Sequence, residues 1–290
     1  MDLVTLASRF ALPGETLMAD RFLTVPGGKG ANQAVAAARL GAQVALVGAL
    51  GDDGFGEQLR HGLIAEGIDI EHVHSVPDCG SGTASITVAQ GDNHILVVPA
   101  ANARLTPAHV ERAATLIGRS DAVLVQMEVP LETVEATVRL AHRLGVPVIL
   151  NPAPAQPLPV DWLKLVRCIT PNQHELSIVL DAANSGDEAD DFQSLMQRLP
   201  CPVVVTRGAD GAWFRETGKP IHQPGYPVEV IDTTGAGDTF NAALAVFLHE
   251  GMAAAVRKAC AAAALSVARL GAQGGMPRLA DVEALLGERA

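Results

Sequence analysis

Short apolar runs alternate with amphipathic stretches along most of this chain, and that alternation restricts the folds open to it. Residues 43–48, 122–126, 147–151, 168–170 and 202–206 are rich in Val, Ile and Leu and read as short buried strands. Between them, 56–66, 131–144 and 192–199 place apolar residues at helical spacing. Thr106-Pro107 reads as a helix cap with proline in the first turn. Late in the chain, 236–250 and 253–270 read as long Ala-rich helices, and a short one begins near Leu279. Strands that alternate with helices imply a parallel sheet covered by helices on its faces. Composition agrees: 48% of residues are hydrophobic but only 3% aromatic, which suits Ala, Val and Leu packed on a buried sheet. At 290 residues, the chain is long enough for one large domain with a small appendage.

One region breaks the rhythm. Residues 83–89 and 94–98, joined by Gly91-Asp92-Asn93, read as a β-hairpin, and 22–25 could add a strand to it. The acidic run Asp187-Glu188-Ala189-Asp190-Asp191 reads as a solvated helix start favoured by the helix dipole.

A net charge of −11 argues against nucleic acid or an anionic membrane surface as a partner, because the long-range field repels polyanions. A small nucleotide can still be held by local N–H groups at contact distance. Cys79, Cys168, Cys201 and Cys260 are widely spaced, with no C-x-x-C pair, so reduced cytosolic thiols fit better than zinc or disulfides. No apolar run approaches a membrane span, and Met1-Asp2 does not open a basic, apolar signal segment. These features point to the cytoplasm.

The chemistry concentrates in Asp232-Thr233-Thr234-Gly235-Ala236-Gly237-Asp238-Thr239-Phe240-Asn241. A glycine-bracketed turn at a helix start aims backbone N–H groups at one point, where the positive end of the helix favours an anion. A carboxylate beside that point is placed to take a proton from an attacking hydroxyl, the arrangement of phosphoryl transfer to an alcohol. Read alone, the segment is equally an ordinary glycine-rich helix start. Upstream lies Gly27-Gly28-Lys29-Gly30-Ala31-Asn32-Gln33-Ala34. No G-x-x-x-x-G-K-[ST] is present, which excludes a P-loop.

Together these two segments resemble both signatures of the ribokinase-like, PfkB-type carbohydrate kinases. Gly51-Asp52-Asp53-Gly54-Phe55-Gly56, Gln126-Met127-Glu128, Asn151-Pro152-Ala153-Pro154-Ala155, Pro171-Asn172-Gln173-His174-Glu175 and Thr206-Arg207-Gly208 follow in the family's order. The resemblance implies a ribokinase-like three-layer α/β/α sandwich. Its central sheet is mostly parallel, and a small β-sheet lid from about 20–26 and 83–99 covers the sugar. Residues 1–290 would then form a single domain. It also implies ATP, Mg²⁺ and an activating monovalent cation, K⁺, and a homodimer clasped through the lids.

The site residues carry over by position. Asp238 matches the catalytic base, and the N–H groups of Gly235, Ala236 and Gly237 match the anion hole. Asp2, Gly28, Lys29, Gly30, Ala31, Asn32 and Glu128 match the sugar contacts. Asn172 and Glu175 match groups near the phosphates and hydrated Mg²⁺. Read without the family, they are a helix-capping pair, and both readings can hold together. Thr206, Arg207, Gly208, Ala209, Asp210 and Gly211 match the nucleotide loop, with Gly237, Asp238 and, at the adenine pocket, Cys260. Asp232 and Thr234, with the carbonyls of Ser266, Arg269 and Gly271, match the K⁺ site. Gly275 stands where the family commonly has a serine ligand.

Two further departures matter. Ala100 replaces a glycine usual before Ala-Asn in the lid, and its methyl would narrow the pocket or tilt the hairpin. Family members also begin with a short strand just ahead of Met1-Asp2, which would place the natural start about ten residues upstream. The competing reading is a genuine short form, and the intact mass of the native protein separates the two. Without that strand, its neighbours expose unpaired backbone groups at about 1–3 kcal/mol each.

The resulting expectation is transfer of the γ-phosphate of ATP to the 5-hydroxyl of D-ribose. The alternatives are deoxyribose, another sugar or a nucleoside. For a nucleoside no aromatic platform is evident, because Tyr226, Trp162 and Trp213 lie outside the sugar segments. The reading from a different class is a non-catalytic sugar- or nucleotide-binding regulator, which would have no need of Asp238.

Overall fold

Apolar strands whose side chains alternate between two covered faces build the frame. The computed structural model describes residues 1–181 and 192–287, so the run Asp187–Asp191 lies outside the described residues. One sheet is ordered Ile221–Gln223, Ala212–Arg215, Val203–Thr206, Cys168–Ile169, Val148–Leu150, Val123–Val125. The last four strands are parallel and the first two antiparallel. Val203 and Val205 face one apolar cluster with Val148, Leu150 and Ile169, under the helices Leu131–Arg143, Gln173–Val179 and Phe192–Arg198. Val204, Ile149 and Cys168 face the other, under Ala236–Phe247 and Met252–Ser266. A side chain fully buried in this way contributes about 1.5–3 kcal/mol. The result is the three-layer sandwich that the alternation implied.

The small residues of the late helices have a packing role. Ala255, Ala259 and Ala262 have no exposed surface, so Met252–Ser266 lies close against its neighbour. That helix stops short of the expected 270. The Val267 carbonyl accepts the N–H groups of Ile231 and Asp232 at 2.8 and 3.1 Å, which turns the chain out of the helix. Ala236–Phe247 likewise ends before 250, tightening into a 3-10 turn at Leu248–Glu250.

Residues 43–48 do not form the expected strand. Ala45 makes one isolated bridge to Asp69, and the strand itself is Gly48–Gly51, paired in parallel with Val73–Val76. This two-stranded unit is separate from the six-stranded sheet. Apolar composition permits a strand but does not supply the partner that defines one. Val44, Leu46 and Val47, with Val123 and Val125, are among the residues that line a cavity of about 2460 Å³.

The lid is a second sheet of four strands, in the order Arg21–Val25, Asp2–Leu6, Thr83–Ala89, Asp92–Val98. The hairpin turn is Gln90-Gly91 and not 91–93; both residues have positive φ, 56° and 78°, as a tight primed turn requires. Asp92 and Asn93 therefore pair in the strand. The central lid strand, Asp2–Leu6, was not anticipated from its sequence. It pairs antiparallel with Arg21–Val25 and parallel with Thr83–Ala89, and it carries Asp2 to the cavity. Ala100 sits at φ 45°, where a side chain costs about 1–2 kcal/mol, which accounts for the glycine expected there. Among the described residues, no helix is long and apolar enough to cross a membrane.

Candidate active site

The helix Ala236–Phe247 begins where its sequence suggests, with Gly235 at φ 78° just ahead of it. A Cβ on Gly235 would lie 2.8 Å from the Cβ and 3.0 Å from the Cα of Ala272, so this position admits only glycine. The first turn of any helix has N–H groups without intrahelical partners. Of the three residues expected to form the anion hole, Ala236 spends its N–H on the Thr233 carbonyl at 3.2 Å.

Asp238, 6% exposed, projects from this turn into the cavity. Its Oδ2 accepts from Asn32 Nδ2 at 3.0 Å and its Oδ1 from Gln33 Nε2 at 3.1 Å. Burial pushes its carboxyl above the usual range, against the downward pull of Lys29 and the two amides. The helix Lys29–Arg39 supplies all three opposing groups from its first turn and a half. Glu128 follows the strand Val123–Val125, at the carboxyl end where parallel sheets place ligands, and its Oε2 accepts the Lys29 N–H at 2.8 Å. Burial raises the carboxyls of Glu128 and Asp2 as well, and each feels the negative charge of Asp238. Three acids and one lysine thus face a single cavity, together with Gly28, Gly30, Ala31 and Asn32.

Asn172 and Glu175 form the reciprocal cap that their spacing suggests: Asn172 N–H donates to Glu175 Oε2 and Glu175 N–H to Asn172 Oδ1, both at 2.8 Å. Glu175 also lines the cavity and is raised by burial. An isolated parallel bridge between Asn172 and Thr206 brings the cap beside the next loop. There Gly208–Asp210 forms one 3-10 turn through Ala209, closed by Gly211 N–H on the Gly208 carbonyl at 3.1 Å. Arg207 is held on the protein, with Nη1 on Asp210 at 2.8 Å, Nε on Gln173 at 3.1 Å, and its guanidinium over the Phe192 ring. Cys260 is not among the residues that line the cavity; it is buried in the core on the helix Met252–Ser266 itself, and that burial pushes its thiol up to about 12.

The residues expected around a monovalent cation do converge. Asp232 Oδ1 accepts the N–H and hydroxyl of Thr234 at 2.9 and 2.6 Å, and its Oδ2 accepts Gly271 N–H at 2.8 Å. Burial raises this carboxyl, but the three donors outweigh it and hold it low. A Cβ at Gly275 would sit 2.0 Å from the Ser266 carbonyl oxygen and 3.5 Å from that of Arg269. The serine common in relatives therefore cannot be accommodated on this backbone. An ionised carboxylate with several carbonyls is a hard oxygen donor set, which fits an alkali cation.

Gln33, Gln126 and Asn151 also belong to the site; all three stand in segments that carry the resemblance, but none is picked out there as a site residue. Gln33 stands inside the first glycine motif, yet nothing in its residue type separates a site amide from a buried one.

The sequence profile of the pfkB family carbohydrate kinases matches residues 1–279. Ribokinase of Bacillus subtilis is 46% identical over 99% of this chain and 96% of its own length. Deoxyribokinase of Salmonella typhimurium is 35% identical over 96% and 93%. The solved structure of Arabidopsis thaliana ribokinase complexed with ribose and ATP superposes with a TM-score of 0.89 at 32% identity, covering 98% of this chain and 95% of that one. Profile, relatives and structure all extend over nearly the whole chain, and on that ground the protein belongs to the pfkB family of carbohydrate kinases, enzymes that phosphorylate sugars with ATP.

Proposed function

We propose that this kinase transfers the γ-phosphate of ATP to the 5-hydroxyl of D-ribose, with Asp238 as the base. The observation that carries this reading is the buried Asp238 carboxylate at the start of Ala236–Phe247, in one cavity with Lys29, Asp2 and Glu128. Asp238 takes the proton of the attacking hydroxyl, and the N–H groups of Gly235 and Gly237 stabilise charge on the transferred group, while that of Ala236 holds the turn through the Thr233 carbonyl. Preorganised donors of this kind contribute about 3–4 kcal/mol each. Asp2 and Glu128 accept sugar hydroxyls while Lys29 and Asn32 donate to its oxygens, with Gly28, Gly30 and Ala31 shaping the wall.

The nucleotide lies along Thr206–Gly211. When bound, Mg²⁺ neutralises charge on the phosphates, and Asn172 and Glu175 would meet its water shell. Asp232, Thr234 and the carbonyls of Ser266, Arg269 and Gly271 would hold K⁺ and stiffen the turn before Gly235. The four cysteines are all free thiols, in keeping with a cytoplasmic enzyme.

Ribose is the first choice on the 46% identity to a ribokinase, and deoxyribose is the competing sugar, because the deoxyribokinase at 35% lies within the range of ribokinases, one of which is 34% identical. Release of ADP with ribose, deoxyribose, fructose and nucleosides tests the choice. A site built to bond a hydroxyl should favour ribose over deoxyribose by at least about tenfold in kcat/KM. Equal or better turnover of deoxyribose would move the identity while keeping the chemistry. Run in KCl and in NaCl, the same assay tests the cation: equal rates would remove K⁺ from the scheme.

We further infer a homodimer joined through the lids. The outer strand Asp92–Val98 is an open sheet edge that exposes Leu96 at 75% and Val97 at 61%. Leu96→Asp should convert a dimer to a monomer in sedimentation equilibrium. A wild-type protein already monomeric at micromolar concentration would refute the clasp.

A further inference from the structure

The carboxylate of Asp238 is fixed by a relay of amides whose direction is set by one backbone carbonyl. The Thr170 carbonyl can only accept, so Asn151 turns its Nδ2 to it at 3.2 Å. That leaves Asn151 Oδ1 facing Gln33, which must donate, and Gln33 Nε2 does so at 3.2 Å. The second hydrogen of the same NH₂ group goes to Asp238 Oδ1 at 3.1 Å. Gln33 Oε1 in turn accepts from Gln126 Nε2 at 2.5 Å, so both ends of the amide are engaged. Gln33 is 1% exposed, which leaves it little access to solvent as an alternative partner.

Asn32 clamps the other oxygen, Oδ2, and is itself oriented by Gln273 Nε2, which donates to Asn32 Oδ1 at 3.1 Å. Consecutive helical residues point in different directions. The extra methylene of Gln33 lets its amide reach the same carboxylate as Asn32 from another side.

We propose that Gln33 is a positioning residue for Asp238, holding the carboxylate in rotation and as an anion through an amide aimed by Asn151 and Gln126. The inference rests on Asp238 being the base. With one donor on each oxygen, the carboxylate keeps lone pairs for the incoming hydroxyl but cannot rotate without breaking both bonds. The charged groups that face Asp238 are Lys29 on Lys29–Arg39, Asp2 on the lid, Glu128 after Val123–Val125, and Glu175 on Gln173–Val179. Burial favours the protonated form of Asp238, and Lys29 opposes it. The two amides oppose it as well.

Gln33→Met keeps the length of the side chain and removes the donor. The test is kcat against pH over about pH 5–9. The acid limb should move up by about one unit, with a loss of about tenfold near its foot, recovery at high pH, and a sugar KM changed by less than about threefold. An activity loss equal at every pH, or an unmoved profile, overturns the inference. If Gln33→Met does not fold, Gln126→Met removes only the group that aims the amide, and the limb should shift the same way by less. An unmoved limb in Gln126→Met then overturns the inference. Asp238→Asn, measured alongside, separates the two readings. Turnover by Asp238→Asn refutes the base itself, whereas an inactive Asp238→Asn with an unmoved Gln33→Met profile refutes only the role of Gln33.

Discussion

Asp238→Asn is expected to lower kcat by about 10²–10⁴-fold while the sugar still binds, because the amide has no basic lone pair to take the hydroxyl proton. The replacement is isosteric, and its carbonyl can still accept from Asn32 or Gln33, though not from both. Turnover from ADP release and affinity for the sugar by calorimetry check the two halves of this expectation. Turnover like the wild type would show that the proton leaves by another route, and simultaneous loss of binding would show that Asp238 holds the sugar more than it activates it.

The same variant carries a stability signature with a definite sign. Burial raises the Asp238 carboxyl in the folded protein above its unfolded value. Its contribution to stability is therefore fully present below the ordinary carboxylate range and is lost as pH rises through the folded value. Asn does not titrate. The melting temperature of Asp238→Asn minus that of the wild type should thus become more positive as pH rises from the acidic range to neutrality. A difference that is flat, or that falls with pH, would mean that Lys29 and the two amides outweigh burial.

Gly235→Val should be nearly as damaging to activity, by another route. Its Cβ would meet Ala272 at 2.8 Å, and φ 78° is a conformation that a β-branched residue strongly avoids. The turn must shift, and the N–H groups that it aims shift with it. Loss of one oxyanion donor costs about 10²–10³-fold in kcat. Backbone strain of about 1–2 kcal/mol should lower the melting temperature by several degrees. Gly235→Ala should fall between, since its single methyl makes the same contact without the second branch. A Gly235→Val enzyme that melts early yet turns over at the wild-type rate would remove this turn from catalysis and leave it a structural corner only.

Much of this molecule was legible because local chemistry and tertiary role coincide. Val203, Val204 and Val205 are apolar on both faces because helices cover both faces, so the run identifies a central strand before any pairing is known. The turn before Ala236 needs glycine and the helix start favours a carboxylate, so Gly235 and Asp238 stand out as letters. The Asn172–Glu175 pair is legible for the same reason, since a capping box lies within four residues. Long-range pairing is not written in this way. Residues 43–48 have the composition of a strand, yet pairing begins only at Gly48. Asp2–Leu6 is too short to announce itself and becomes a strand because Arg21–Val25 and Thr83–Ala89 flank it.

The finer site was decided in the same way. The burial of Cys260 in the core and the hold of Asp210, Gln173 and Phe192 on Arg207 come from residues that the fold brings together. Gly275 has no room for a side chain because the Ser266 carbonyl, at the end of the helix Met252–Ser266, occupies it. Gln33 acquires its orientation from Thr170, 137 positions away along the chain, through Asn151. The sequence by itself determined the layered α/β frame, the helix start that bears Asp238 and the family, because these depend on side-chain periodicity and on turns a few residues long. The lid's central strand, the extent of the first strand pair and the direction of each amide around Asp238 were decided by tertiary structure, because each depends on a hydrogen-bonding partner that the fold brings in from far along the chain.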